Sequence, residues 1–395
     1  MNHDSSDAAT AFRTRLAEVL AREVAPRCDA IERDDDWSAS QAAARALGDA
    51  GLLGTLFPEH APQRPVATGL GAAALVHEQL AYLNYGLVSG VATTLSAAVA
   101  IDRFADEALR RRFLPELVGG RMFGAICFTE REVGTDAAAM STRLAYDAAR
   151  DEWVIDGFKR YISNAGVAGV YVVWGRSRDD VASQQGMSTL LVPADTPGLA
   201  VQRRYHFMGR RGCVVGEVEF RNCRVPASYL LGARDGGFRV MLSAFNFERI
   251  LVGAAGLGVA RSAFDLACRH VQTREVFGEK LGCKQLAWER IAQMSWRIEA
   301  TRLLVHDAAR QYDAGVAARQ LMKPASMAKL VGSEAANYCA DATVQLLGGD
   351  GLTQEYGRAE QIYRDARALP IVGGTNEIAK YLIACSDLPE IKPSL

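Results

Sequence analysis

Apolar residues recur at helical spacing from about residue 8 to residue 117, where Ala and Leu are frequent. The spacing predicts helices over residues 71–83, 89–104 and 107–117. The segment from Ser38 to Gln41 resembles a capping box, and it predicts the start of an earlier helix that ends near Gly51. Three prolines between residues 57 and 69 predict a loop. The first part of the chain is therefore predicted to be helical.

The pattern of apolar positions changes near Met122. As far as about Leu231, short runs of Val, Ile, Phe and Tyr alternate with turn residues, which is typical of strands. The predicted strands cover residues 123–128, 152–155, 170–174, 188–192 and 216–220. The Asp156-Gly157 pair predicts a hairpin turn after the second of these strands.

Helical spacing returns after Gly236 and continues to about Ala384. It predicts helices over residues 238–273, 284–313, 324–347 and 376–384, with Pro324 in the first turn of its helix. The chain is therefore predicted to have an α+β fold with three domains. These are an N-terminal helical domain (residues 1–121), a middle β domain (122–235) and a C-terminal helical domain (236–395).

Composition narrows the class of protein. The chain has 395 residues and a formal net charge of −1, so nothing indicates a nucleic-acid or anionic-membrane partner. Gly, Arg or Asp interrupts the longest apolar runs. The polar start from Met1 to Asp7 resembles neither a signal nor a transit peptide, so a cytoplasmic location is expected. The eight cysteines and six histidines are scattered without ligand spacing, and no metal site is predicted.

Two segments of the β domain combine groups that suit a polar ring system. Residues 128–136 leave a strand and enter a turn that offers hydroxyls and backbone N–H groups. About 25 residues further on, residues 159–165 place an aromatic ring, a hydroxyl and an amide together. Taken alone, each segment is more simply interpreted as an ordinary turn or an edge strand.

Read in order with later segments, these motifs resemble the acyl-CoA dehydrogenase family over nearly the whole chain. The family's Thr-Glu-Pro-x-Ala-Gly-Ser-Asp stands here at residues 129–136, with Arg131, Val133 and Thr135 in place of Pro, Ala and Ser. Its Trp-Ile-Thr-Asn-Ala stands at residues 161–165 as Tyr-Ile-Ser-Asn-Ala. Further matching segments cover residues 209–212, 224–226, 231–232, 274–278 with Gln285, 345–349 and 375–377.

The resemblance implies a flavoprotein with a C-terminal four-helix bundle and a non-covalently bound FAD. Its flavin ring would be lined by Phe128, Thr129, Tyr161, Ile162 and Ser163, and Thr135 would contact the cofactor as well as the substrate. The resemblance implies that its pyrophosphate and adenine are held partly across a subunit boundary. A buried pyrophosphate needs a cation, and Arg supplies a bidentate one. These contacts would come from Arg274, Phe277 and Gln285, and Gln345, Gly348, Gly349, Thr375 and Glu377 would complete the site. The substrate would contact Thr135, Asn246, Arg249, Gly373 and Gly374.

The resemblance also implies where the catalytic base lies. The family reaction removes an α-proton from an acyl thioester while a hydride leaves the β-carbon for the flavin, so a carboxylate must face the flavin. Many members carry this Glu at the position that Gly373 occupies here. A minority branch that includes isovaleryl-CoA dehydrogenase carries it on the long helix, at the position of Glu248. Between residues 238 and 259 the only charged residues are Arg239, Glu248 and Arg249, which favours a functional role for Glu248. The alternative is a structural ion pair of Glu248 with Arg249 or with another helix.

Departures from the family pattern leave the substrate and the chemistry open. Asn246 replaces an acidic residue, and the usual Pro-Glu-x-x-Gly-Gly loop is reduced at residues 58–62. The carrier of the acyl group is therefore either coenzyme A or an acyl carrier protein. The expected partners are an electron-transfer flavoprotein and further copies of the chain in a homotetramer or dimer. Two other hypotheses remain, which are a flavin oxidase or monooxygenase on the same fold and a non-catalytic scaffold that binds acyl carrier proteins.

Overall fold

The computed structural model describes residues 7–136, 139–182 and 185–390. Within these residues helices come first, strands follow, and the last elements are again mainly helices. The helices are α1 (Asp7–Val19), α2 (Cys28–Asp34), α3 (Trp37–Asp49), α4 (Leu70–Leu83), α5 (Tyr85–Phe104), α6 (Glu107–Val118), α7 (Gly237–Thr273), α8 (Gln285–Asp313), α9 (Ala318–Leu347), α10 (Ala359–Ala366) and α11 (Asn376–Asp387). The strands are β1 (Phe123–Cys127), β2 (Arg143–Asp147), β3 (Glu152–Ser163), β4 (Ala168–Arg176), β5 (Met187–Pro193), β6 (Leu199–Arg204), β7 (Val215–Pro226), β8 (Glu275–Val276) and β9 (Glu279–Lys280).

The start of α3 differs from the prediction. Asp36, and not Ser38, is the N-cap, because its carboxylate accepts hydrogen bonds from the backbone N–H groups of Ser38 (2.8 Å) and Ala39 (3.3 Å). The Ser38 hydroxyl also donates to Asp36 (2.6 Å). A carboxylate at the N-cap additionally suits the positive end of the helix dipole. The predicted capping box therefore lies two residues too far along the chain.

The middle strands form one sheet in the order β1-β4-β2-β3-β7-β6, and β5 pairs with β4. β1 and β4 are parallel, whereas β3 pairs antiparallel with β2 and β7. The buried face of this sheet carries a cluster of apolar side chains that includes Trp153, Tyr171 and Phe220. This sheet fixes the ends of β1 and β3, where both predicted flavin-facing segments lie.

The predicted hairpin turn at Asp156-Gly157 is wrong. β3 runs without a break through both residues, and the β3–β7 register shifts between Ile155 and Gly157. Thr142 lies so close that a Cβ at Gly157 would stand 2.5 Å from its Oγ1, so glycine serves a close approach within a bulge. The turn between β2 and β3 lies instead at residues 148–151, where Asp151 has φ 54°.

The long C-terminal helices pack closely. A Cβ at Gly253 would lie 2.6 Å from the Ala328 carbonyl oxygen, and one at Gly256 would lie 2.5 Å from the Gly332 carbonyl oxygen. α7 and α9 can therefore approach only because these positions lack side chains. Pro324 lies inside α9 and not in its first turn as predicted. The preceding Ala-Arg-Gln-Leu-Met-Lys run is made of strong helix formers, which starts the helix at Ala318.

The chain divides into two compact units. The first comprises Met1–Thr68, Ser89–Phe207 and Arg211–Glu248, and the second comprises Gly69–Val88, Met208–Arg210 and Arg249–Leu395. Among the residues that the structure describes, two helices, α5 and α7, are long and apolar enough to cross a membrane by length and composition. However, 83% and 78% of their most apolar windows are buried inside the protein, as is usual for core helices.

Candidate functional site

In the first unit, the segment that follows β1 places an aromatic ring at the end of the sheet. Phe128 is buried, Thr129 is half-buried and Thr135 is exposed. The Phe128 ring makes edge-to-face contacts with Trp174 (centroids 5.8 Å apart) and with Phe245 of α7 (5.0 Å). Aromatic pairs prefer this edge-to-face orientation. Phe128 therefore contacts both the sheet and α7.

The second predicted flavin-facing segment lies beside the first because of a bulge in β3. The β3–β7 register shifts between Lys159 and Ile162, so both of these side chains are buried. Tyr161, which lies within the bulge, has φ 57° and is 47% exposed. The Arg160 N–H donates to the Thr129 carbonyl oxygen (2.8 Å). The structure therefore brings the Phe128–Thr129 and Tyr161–Ser163 segments together.

The amide in this second segment has a structural role. Asn164 is buried and adopts φ 64°. Its Nδ2 donates to the carbonyl oxygens of Gly90 (3.0 Å) and Gly124 (2.8 Å). Asn164 therefore connects the end of β3 to α5 and β1 through these hydrogen bonds.

A buried ion pair connects the same two segments. Lys159 Nζ lies 2.9 Å from Glu130 Oε1 and donates to the Phe128 carbonyl oxygen (3.1 Å). Burial alone would raise the pKa of Glu130, but the Lys159 ammonium and hydrogen bonds from Ser141 and Thr142 more than offset it. The pKa of Glu130 falls to about 2. Both residues occur in the motifs, yet the sequence assigned neither of them a role.

Four consecutive residues of α7 in the first unit, from Phe245 to Glu248, differ in burial and in the helix face on which they lie. Phe245 and Glu248 are three positions apart and half-buried, so they share one face of the helix. Asn246 and Phe247 are buried on other faces. Because Phe245 contacts Phe128, the face that carries Glu248 is the one directed toward the predicted flavin-facing segment. Glu248 therefore lies on the α7 face that also carries Phe245, and its role as the base stays a prediction.

In the second unit, a network of hydrogen bonds shapes the turn that carries Gly373 and Gly374. Lys329 is buried in α9, and its Nζ donates to the Pro370 carbonyl oxygen (3.0 Å) and to Asn376 Oδ1 (2.8 Å). The Asn376 N–H closes the turn onto the same Pro370 oxygen (2.9 Å). Gly373 (φ 66°) and Gly374 (φ 90°) adopt left-handed conformations that favour glycine. Lys329 was not predicted, because a helical Lys carries no sequence signal of burial.

The turn leads into α11, whose start presents polar groups. Thr375 is the N-cap, and its hydroxyl accepts from the Ile378 N–H (3.4 Å). The pKa of Glu377 is lowered, first by a hydrogen bond from its own backbone N–H and next by one from Thr375. Arg249 lies near this turn, since a Cβ at Gly374 would stand 3.8 Å from its Nη2. Thr375, Gly374 and Arg249 are therefore close together.

The other predicted cofactor residues of this unit lie on its surface. The exposed residues are Arg274, Phe277, Gln285, Gln345, Gly348 and Gly349. Phe277 is 97% exposed at the tip of the β8–β9 hairpin. The pKa of His270 is lowered, first by burial and next by the charge of Arg274, whereas the charge of Asp350 raises it. Arg274 and Asp350, which lies in the turn after α9, are therefore both near enough to His270 to influence its pKa.

These groups are compatible with a bound FAD. Arg274 offers an exposed cation for a pyrophosphate, and Thr375 begins a helix whose N–H groups favour anions. A Cβ at Gly348 or Gly349 would meet no atom within 4 Å, so a cofactor can approach this backbone closely. Among the described residues, no group of three or more His, Cys, Asp or Glu side chains could hold a metal ion.

Comparison with known families decides the assignment. Family models describe the acyl-CoA dehydrogenase N-terminal domain over residues 6–121, the middle domain over residues 125–223 and the C-terminal domain over residues 235–386. The chain belongs to the acyl-CoA dehydrogenase family. The prediction of a three-part acyl-CoA dehydrogenase fold is therefore confirmed. So are the predictions of FAD as cofactor and of acyl thioester dehydrogenation.

Full-length relatives support membership of the acyl-CoA dehydrogenases. Acryloyl-CoA reductase (NADH) of Anaerotignum propionicum is 32% identical over 376 residues, 94% of this chain and 92% of the relative. Glutaryl-CoA dehydrogenase of Desulfococcus multivorans is 30% identical over 379 residues, 95% of each chain. The solved structure of butyryl-CoA dehydrogenase from Megasphaera elsdenii is 27% identical. Its TM-score is 0.92, and the match covers 98% of this chain and 100% of that one.

Proposed function

We propose that this acyl-CoA dehydrogenase desaturates an acyl thioester between Cα and Cβ, with Glu248 as the base that removes the α-proton. The observation that carries this proposal is the shared α7 face of Phe245 and Glu248, with Phe245 packed on Phe128. Bound FAD supplies the acceptor for the β-hydride. A carboxylate is the only ionisable base among the side chains of residues 238–259, since the two other charged residues there are arginines.

Different residues of the chain are proposed to bind the flavin ring, the pyrophosphate and the thioester. Phe128, Thr129 and Tyr161–Ser163 present an aromatic ring, hydroxyls and backbone groups to the flavin edge. Arg274 neutralises the pyrophosphate, and the N-terminus of α11 supplies N–H donors. Thr135, Asn246, Arg249 and the Gly373-Gly374 turn bind the thioester and its pantetheine arm. In this scheme Gly373 contributes backbone groups alone, which is why the base must come from elsewhere.

The direction of the reaction depends on the electron partner. One relative is named a reductase and another a dehydrogenase, although both align with nearly the full chain. The same base serves both directions, because the group that removes the α-proton in one direction returns it in the other. We propose an electron-transfer flavoprotein as the partner, and oxidation as the direction. The carrier is coenzyme A, with acyl carrier protein as the alternative.

We also propose a homotetramer or dimer in the cytoplasm. Trp288, Trp296 and Leu303 are 52%, 54% and 69% exposed and share one face of α8. Phe277 is almost fully exposed. Large exposed apolar side chains on one face favour a protein partner. Light scattering at micromolar concentration tests this assembly, and a monomer that binds FAD fully would contradict it.

One experiment tests the proposed function against its rivals. The purified protein should show a flavin absorbance spectrum, and a thioester from a panel of acyl-CoAs and acyl carrier proteins should bleach it without air. Reoxidation by oxygen should be slow while product remains bound, because product excludes solvent from the ring. Rapid stoichiometric peroxide, or an oxygenated product, would favour the oxidase or monooxygenase. A colourless protein that takes up no FAD would favour the scaffold.

A further inference from the structure

The Glu130–Lys159 pair is a deeply buried ion pair that joins two parts of the proposed flavin site. The side chains of Lys159 and Glu130 are 0% and 3% exposed. Glu130 accepts hydrogen bonds from the Ser141 N–H (2.6 Å), the Ser141 hydroxyl (2.7 Å) and the Thr142 N–H (3.0 Å). Together with Lys159 (2.9 Å), four donors therefore surround one carboxylate.

These contacts link three backbone segments. Lys159 belongs to the bulged end of β3, two residues before Tyr161, and it donates to the carbonyl oxygen of Phe128. Glu130 follows Phe128 and Thr129 directly, and it holds the segment at Ser141 and Thr142. The pair therefore connects the two segments that are assigned to the flavin ring.

The pair requires charge as well as shape. A neutral amide at position 130 keeps one acceptor oxygen, so it could accept from the Ser141 N–H or from the Thr142 N–H but not from both. It would also leave a buried ammonium without its counter-ion. Burial lowers the pKa of Lys159, and Glu130 opposes that change. Removing one partner of a buried pair is costly, whereas replacing both by neutral groups is tolerated far better. Single and double substitutions therefore separate charge from packing.

We propose that Glu130 and Lys159 are positioning residues that align the Phe128–Thr129 and Tyr161–Ser163 segments on the flavin, and that their balanced charges set its reduction potential. The proposal rests on the proposed function, which assigns both segments to the flavin ring. It predicts that the two single variants shift the potential in opposite directions. Loss of the anion leaves a positive charge that favours the more negative reduced flavin, and loss of the cation does the reverse.

The experiment compares Glu130→Gln, Lys159→Met and the double variant with the parent enzyme. Glu132→Gln serves as the control, because Glu132 is an exposed carboxylate in the same segment. The measurements are the FAD dissociation constant, the flavin reduction potential and the circular dichroism spectrum. Each single variant should raise the dissociation constant about tenfold or more, since hydrogen bonds to charged groups are strong. Glu130→Gln should raise the potential and Lys159→Met should lower it. The double variant should keep the parent's potential but bind FAD about tenfold more weakly.

Several results would overturn the proposal without touching the proposed function. One such result is that both single variants keep the parent's FAD affinity and flavin reduction potential. Another is that both variants shift the reduction potential in the same direction, which would indicate a general loss of packing around the flavin. If the single variants do not fold, the double variant tests the proposal. A double variant that binds FAD as tightly as the parent enzyme would then contradict it. A double variant without the parent's circular dichroism spectrum is also negative, because the pair then supports the fold and not the site. A parent enzyme that binds no FAD contradicts the proposed function itself.

Discussion

At the scale of single residues, Arg274 is the main cation proposed for the FAD pyrophosphate. It is exposed on the segment that leads into the β8–β9 hairpin. Arg274→Ala should weaken FAD binding about tenfold or more, because charge-assisted hydrogen bonds to a phosphate are lost. Titration of apoprotein with FAD measures the change. Arg319→Ala, which removes an exposed arginine of α9, is the control and should bind like the parent.

Gly373 allows a second residue-scale prediction, because most family members carry the base at its position. Glu248→Gly should abolish activity, and adding Gly373→Glu should restore part of it. Recovery should be incomplete, since Gly373 has φ 66° and a non-glycine residue there costs about 1 kcal/mol or more. Single-turnover flavin bleaching measures the recovery. No gain over Glu248→Gly alone would show that a carboxylate at position 373 cannot replace Glu248 in this chain.

Single residues differ in how far their roles can be predicted from the sequence. The sequence singles out Glu248, because a lone carboxylate in an apolar helix stands out and the family offers a matching position, and its role as the base stays a prediction. The Glu130–Lys159 pair was not predictable, although both residues lie in the motifs. Its two members are 29 positions apart, and only the folded sheet brings them together. Phe245 and Lys329 share this property, since their roles depend on the elements packed against them.

At the scale of elements, the close approach of α7 and α9 depends on glycine. Gly256→Val should destabilise the protein by about 1–3 kcal/mol or more, because the added Cβ would stand 2.5 Å from the Gly332 carbonyl oxygen. Thermal unfolding of the holoenzyme measures the change. Gly71→Ala in α4 is the control, because the nearest atom to its Cβ is 3.9 Å away. A parental melting temperature for Gly256→Val would contradict the packing.

Element order and type were predictable, whereas several element boundaries were not. Apolar spacing located most of the helices and the β segment, because each element buries a continuous face. The Asp-Gly turn at residues 156–157 and the helix start at Pro324 were wrong for related reasons. Both predictions relied on local turn or start signals, and tertiary pairing of β3 with β7 and strong helix formers before Pro324 outweighed them. Local sequence signals and tertiary packing can favour different element boundaries, and in these two places the boundary does not follow the local signal.

At the scale of the whole molecule, His77 should make stability depend on pH. It is fully buried in α4, and its Nδ1 lies 2.8 Å from the Ala73 carbonyl oxygen. Burial lowers its pKa from 6.5 to about 4. The unfolded chain therefore takes up a proton as pH falls through 6.5, while the folded chain does not until about 4. Stability should fall across this window by about 3 kcal/mol from this group.

The His77 prediction is checked by unfolding at several pH values. His77→Gln can still donate to Ala73 but does not titrate, so its stability should fall less than the parent's between pH 6.5 and 4. The difference between the two pH profiles is the observable, since the substitution also changes stability at neutral pH. Parallel profiles for parent and variant would show that His77 does not contribute to the pH dependence.

The central claim is that Glu248 is the base, and anaerobic stopped-flow reduction of the flavin in Glu248→Gln tests it most directly. Gln keeps the size and hydrogen-bonding capacity of the side chain but cannot accept the α-proton. With a thioester that reduces the parent enzyme, the variant should keep its FAD and reduce it about 10²–10⁴-fold more slowly. Reduction at the parent's rate, with FAD fully bound, would contradict the account and assign Glu248 to the structure of α7.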